Sequence, residues 1–208
     1  MRGDSALRPH DLENQELERR AILVATEWGG VVPYFREIYG RALYHSASRA
    51  LHAFERLDSA LRANDDSEAV SSVHEALGHC SNLSRYFWPS KQNSKRNSPF
   101  AALAEARGSK LRESFGITDK SPLKDRALRD SLEHFDERLD RYFLGLDAGM
   151  IFPDPMIGPY QMAKIQYGHI FKIVDPDNEI FVVLGVEFRY GALRPEVQRI
   201  AGSTQPRI

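Results

Sequence analysis

Apolar residues return at helical spacing along much of the first 144 residues. From Tyr34 to about Ala63 they fall at Phe35, Ile38, Ala42, Leu43, Ala50, Leu51, Phe54, Leu57 and Leu61, laying one stripe along a long amphipathic helix. The polar run Asn64-Asp65-Asp66-Ser67 ends it. Ser67 is placed to cap a second helix over about 68–88, which Pro89 stops. Two long helices joined by so few residues must fold back as an antiparallel hairpin. A third helix is predicted from Pro99 to Phe115, weakened by Gly108 and ended by Gly116. Ser121 and Pro122 start a fourth, which the pattern carries unbroken to Leu144. Its apolar residues Leu128, Leu132, Phe135, Leu139 and Tyr142 form one narrow core-facing stripe.

The pattern changes at both ends of this helical region. Residues 1–32 read as an N-terminal extension, with a charged opening and then a short helix within Glu13–Trp28 that Gly29-Gly30 closes. Beyond Leu144, residues 145–168 hold four glycines and three prolines, which predicts an irregular crossing segment. His169–Val174 and Glu179–Phe188 are rich in Ile, Val and Phe and flank Asp175-Pro176-Asp177-Asn178, the signature of a β-hairpin. A two-stranded ribbon is marginal in water, so it is expected to lie on the helices or to pair with another chain. Leu193–Ala201, with Pro195 in its first turn, predicts a last short helix. The expected organisation is an extension (1–32), a helical bundle (33–144) and a segment of crossing chain, hairpin and short helix (145–208). The class is mainly α.

Composition narrows the chemistry. At 208 residues, 42% hydrophobic and 27% charged, the chain has the make-up of a soluble globular protein with material for one domain and an appendage. Its formal net charge of −1 gives no global basic excess, so any contact with RNA has to come from a local patch. The single cysteine, Cys80, cannot form an internal disulfide and suits a reducing compartment. The N-terminus lacks an apolar signal core and no apolar run approaches membrane-spanning length, so the expectation is a cytoplasmic protein with no membrane association.

Few residues carry recognisable chemistry. After Pro89 the stretch SKQNSKRNS holds Lys91, Lys95 and Arg96 with no acid among them. It is either a solvated connection or the best local cationic patch for a phosphate backbone. His74 and His79 are five residues apart instead of the four of a zinc-protease helix, which turns the second imidazole off the shared face and argues against a metal there. His45 and His52, seven apart, share a face of the first long helix and fit structural roles. Cys80 is expected to be a small buried hydrophobe. No phosphate-cradling glycine loop or GxSxG elbow occurs.

The fourth predicted helix contains Arg129-Asp130-Ser131-Leu132-Glu133-His134: an arginine, a polar residue directly after it, and a histidine five positions on. This resembles the signature of the HEPN superfamily, carried on the last helix of an α-helical bundle. The resemblance implies an up-and-down four-helix bundle of HEPN type, here with a C-terminal β-hairpin. It also implies a metal-independent endoribonuclease that needs no cofactor, of the kind found in toxin–antitoxin and defence systems. A homodimer with a composite site at its interface is expected, with RNA as substrate and an antitoxin or nucleotidyltransferase as partner. His134 would move a proton at the 2′-OH or the leaving oxygen, Asp130 one turn away would orient and stabilise its charged form, and Arg129 would face the phosphate oxygens. Arg126, four residues before Asp130, joins Lys91, Lys95 and Arg96 as an RNA-binding candidate. Positions five apart are about 140° apart around a helix, so Arg129 and His134 do not share a face, which fits a site shared between two copies. Two other readings stay open: a solvated, salt-bridged helix face, and a catalytically inactive HEPN-like module that binds nucleotide, nucleic acid or a protein.

Overall fold

The computed structural model describes residues 13–89, 98–125, 135–146 and 148–204, and these are mainly helical with a small sheet towards the C-terminus. The helices are α1 (Asn14–Glu27), α2 (Arg36–Ala63), α3 (Asp66–Phe87), α4 (Pro99–Phe115), α5 (Phe135–Leu144) and α6 (Leu193–Thr204). The strands are β1 (Met150–Phe152), β2 (Met156–Ile157), β3 (Gly168–Ile170), β4 (Lys172–Asp175), β5 (Ile180–Val183) and β6 (Val186–Arg189). Two compact units emerge, one from residues up to Tyr39 with Arg85–Thr118, the other from Gly40–Ser84 with the chain from Asp119 onward. No described helix is long and apolar enough to cross a membrane.

In the first unit α1 packs along α4. Gly30 makes the approach possible: its φ of +85° is left-handed, and a Cβ there would collide with the Arg107 backbone. The ends of α4 obey its sequence signals. Ser98 Oγ accepts a hydrogen bond from the Ala101 N–H at 3.2 Å, Pro99 takes the first helical position, and Gly116 closes the helix at φ 59°. Phe87, in the last turn of α3, sets its ring edge-on to Phe115 and Trp88. Arg112 donates to the Phe87 carbonyl and lies 5.7 Å from the centre of the Trp88 ring, so this α4 cation holds the end of α3 in place.

The second unit is built on the antiparallel pair of α2 and α3. The buried face of α2 is rich in alanine (Ala47, Ala50, Ala53, Ala60) around Leu43, Phe54 and Leu57, so α3 can approach closely with Val73, Leu77, Cys80 and Leu83. Phe35 and Ile38, expected on the apolar stripe, are instead exposed. Asp65, not Ser67, caps α3: its Oδ1 accepts from the Glu68 N–H at 3.0 Å, and the helix starts at Asp66.

The predicted hairpin is present and grows into a sheet of order β2-β4-β5-β6. Asp175 is 1% exposed and ties the turn together, accepting from the Asn178 N–H and side-chain amide and from the Tyr160 N–H at 2.9–3.0 Å. Burial alone would raise its carboxyl, but these hydrogen bonds outweigh that and hold it below the usual aspartate value. The expected long second strand folds back at Leu184-Gly185, whose φ angles of 47° and 75° make a two-residue loop between the paired Val183 and Val186. The crossing segment also carries more structure than its glycines and prolines suggest. β1 pairs parallel with β3, β2 pairs parallel with β4, and Tyr160–Lys164 forms a 3₁₀ turn.

This sheet lies on the helical pair. The Phe181 ring is 6.4 Å from His74, Tyr190 stacks 6.3 Å from Phe54, and Val197 and Ile200 of α6 are fully buried. Arg194 of α6 closes the arrangement with a two-pronged pair to Asp58 at 2.7 and 2.8 Å, its guanidinium 5.0 Å from the Phe54 ring centre.

One predicted element is corrected. Ser121 does cap, accepting from the Leu123 N–H at 3.4 Å, but it opens only a 3₁₀ turn, Pro122–Lys124, with Asp125 extended at ψ 115°. No single helix therefore runs from Ser121 to Leu144. The turn is pinned to α6: Leu123 is buried, and Ser121 Oγ donates to Glu196 at 2.7 Å.

Candidate functional site

All the residues assigned to RNA chemistry from the sequence, Arg129, Asp130 and His134 with Arg126, Lys91, Lys95 and Arg96, lie outside the described residues. The structure describes what brackets them in the chain. Pro89 and Ser98 stand on either side of the basic stretch, and Asp125 and Phe135 on either side of the motif.

α5 begins directly after His134 in sequence. Leu139 and Tyr142, members of the predicted stripe, are half-buried, while Asp136, Glu137, Asp140 and Arg141 are exposed. The C-terminal end of α5 is fixed by aromatic contacts: Tyr142 lies edge-on to His169 and Phe171, and Phe143 to Phe171, at 5.6–6.1 Å. Its first turn is acidic and its last turn carries Arg141, the arrangement that favours a helix dipole.

The densest titratable cluster among the described residues lies on α2 and α3. Glu75 pairs with Arg49 at 3.0 Å and with Arg56, which also reaches Glu68 at 3.4 Å; His79 stands 3.7 Å away. Burial by itself would raise the Glu75 carboxyl, but the Arg56 hydrogen bond and the charges of Arg56, Arg49 and His79 together hold it below the ordinary glutamate value. His79 is itself lowered, mainly by burial, with Glu75 opposing. This cluster has no counterpart among the sequence expectations. Its signal is nonetheless present: Arg49 and Arg56 on one helix and Glu68 and Glu75 on the other repeat every seven residues, as facing charges on an antiparallel pair would. Chemically it ties two helices together and presents no unpaired nucleophile.

The other candidates resolve simply. His74 turns to Phe181 and is lowered by burial and then by Lys172, whereas His79 turns to Glu75, so the two imidazoles serve different neighbours. His45 and His52 are exposed, the latter 3.2 Å from Glu55. Cys80 is fully buried, and burial pushes its thiol up to about 12. Among the described residues no group of three or more His, Cys, Asp or Glu side chains is placed to hold a metal ion. Comparison with family models, with curated proteins and with solved structures finds no match to this chain.

Proposed function

We propose that this chain is a HEPN-type, metal-independent endoribonuclease, a toxin or defence effector that acts as a homodimer. The observation that carries the reading is the sequence Arg129-Asp130…His134, placed directly before a helix with one half-buried apolar side and one charged, solvent-facing side. A long antiparallel helical pair earlier in the chain, α2 and α3, is in keeping with a bundle of that type. In this reading His134 exchanges the proton of the 2′-OH or of the 5′-oxygen, Asp130 stabilises its imidazolium, and Arg129 neutralises the phosphorane oxygens. Lys91, Lys95, Arg96 and Arg126 hold the phosphate backbone.

Incubating the purified protein with a panel of structured and unstructured RNAs tests it. Wild-type protein cuts, and EDTA leaves the rate unchanged. His134→Ala and Arg129→Ala each lower the rate by at least about a hundredfold with an unaltered circular dichroism spectrum. A wild-type protein that leaves every RNA intact, or a His134→Ala variant that cuts as fast as wild type, overturns the proposal.

A further inference from the structure

The most exposed apolar side chain of α5 and the most exposed of the described strands belong to one neighbourhood. Leu144 is 87% exposed at the end of α5, and β1 exposes all three of its residues, Met150 by 65% and Ile151 by 47%. They meet through β3: Ile151 is in register with His169, and His169 carries the Tyr142 ring of α5 on one side while its Nε2 lies 2.9 Å from the Ala148 carbonyl. Among the described residues β1 has a strand partner on one side only, because its sheet is the pair β1-β3. Met150 and Phe152 direct their backbone groups to that side, through Met150 N–H to the Tyr167 carbonyl and Phe152 C=O to the Phe171 N–H. Ile151, one residue out of phase, directs its N–H and C=O to the outer edge. An apolar strand with its hydrogen-bonding groups facing outward is a template for another strand.

We infer that this edge is where a second copy of the chain docks, β1 against β1 in antiparallel register about a two-fold axis at Ile151. This deepens the homodimer of the proposed function and rests on that reading for its link to catalysis. The self-pairing is favoured by the strand itself. Ile151 of each copy exchanges both backbone bonds with Ile151 of the other, and Pro153, which has no N–H, ends the paired stretch two residues on. Charge points to the same occupant. With the two α5 helices antiparallel, the acidic first turn at Asp136 and Glu137 of one copy meets Arg141 of the other, so the surface complements itself in sign as an isologous contact must. Phe143 and Leu144 then lose water together with β1.

Sedimentation of the full chain from about 1 to 100 µM reads the association directly. Wild type is dimeric. Ile151→Lys and Leu144→Arg, both at exposed positions, weaken the dimer at least about tenfold without changing the circular dichroism spectrum. The charge reversals Asp136→Arg and Arg141→Asp each weaken it, and the double reversal restores it, a rescue that a purely structural role would not produce. A wild type that stays monomeric across the range, or surface variants that remain dimeric, overturns the inference, and so does dimerisation that only an added partner protein induces. RNA cleavage measured on the same samples separates the two proposals. Dimers that dissociate as expected but never cut RNA leave the surface standing and remove the nuclease, whereas cleavage by a chain that is monomeric throughout removes the surface, and with it the homodimer of the proposed function, and leaves only the ribonuclease activity.

Discussion

Arg194 shows how much one side chain can organise. Its fork meets both Asp58 oxygens while its planar face covers Phe54, so it joins α6 to α2 through charge, geometry and apolar contact at once. Arg194→Ala is expected to lower stability by about 1–2 kcal/mol, since the pair is partly exposed and screened, and Arg194→Lys to recover only part of it. Chemical denaturation of the three proteins checks this. His74 makes a pH prediction. Its imidazole is disfavoured as a cation by burial and by Lys172, so its folded pKa lies below the ordinary value of 6.5. The unfolded chain then takes up the proton first, and the contribution of His74 to stability, present above that value, is lost as pH falls through the lower, folded value. Melting temperature should drop between neutral and mildly acidic pH, and less so in His74→Phe, which keeps the ring contact with Phe181. An equal drop in both proteins would refute the assignment to His74.

At the scale of elements, caps and glycines are legible where one residue type decides the outcome. Ser98, Pro99 and Gly116 mark the ends of α4 as their chemistry requires. The sequence places the cap of α3 two residues late, because Asp65 and Ser67 are both good caps and only the turn geometry at Asn64, with its φ of 53°, selects between them. Asp65→Ala should cost about 1 kcal/mol, whereas Ser67→Ala should leave the melting temperature near wild type. The Leu184-Gly185 turn escapes the sequence pattern for a similar reason. Leucine is not a turn former, and its positive φ is imposed by pairing of β5 with β6 on either side. Gly185→Val should destabilise by about 1–2 kcal/mol through its backbone alone, because a Cβ at that position meets only open space.

For the whole molecule, the apolar faces of α2 and α3 announce a helical pair but not what covers it. The cover is the C-terminal sheet with α6, brought to Phe54 and His74 by residues more than a hundred positions later in the chain. Phe54→Ala should cost about 3–5 kcal/mol, as it removes a ring packed against Tyr190 and Arg194 together, and a cooperative melt should show the sheet and helices weakening as one. The break at Asp125 belongs to this scale too. A helix start at Ser121 and Pro122 agrees with every local rule, yet burial of Leu123 against α6 and the Ser121–Glu196 bond hold only a single 3₁₀ turn there.

Local chemistry written in the sequence determined the long helices α2 and α3, the ends of α4 and the turn at Asp175, and it supplies the Arg129-Asp130…His134 spacing, because periodicity, capping and turn preference act over a few residues. Tertiary structure decided which elements meet, where Leu184 bends the sheet, and that Glu75 faces Arg49 and Arg56 across two helices. It also left the β1 edge and Leu144 facing water. Burial and pairing depend on residues far apart in the chain, and no local pattern contains them.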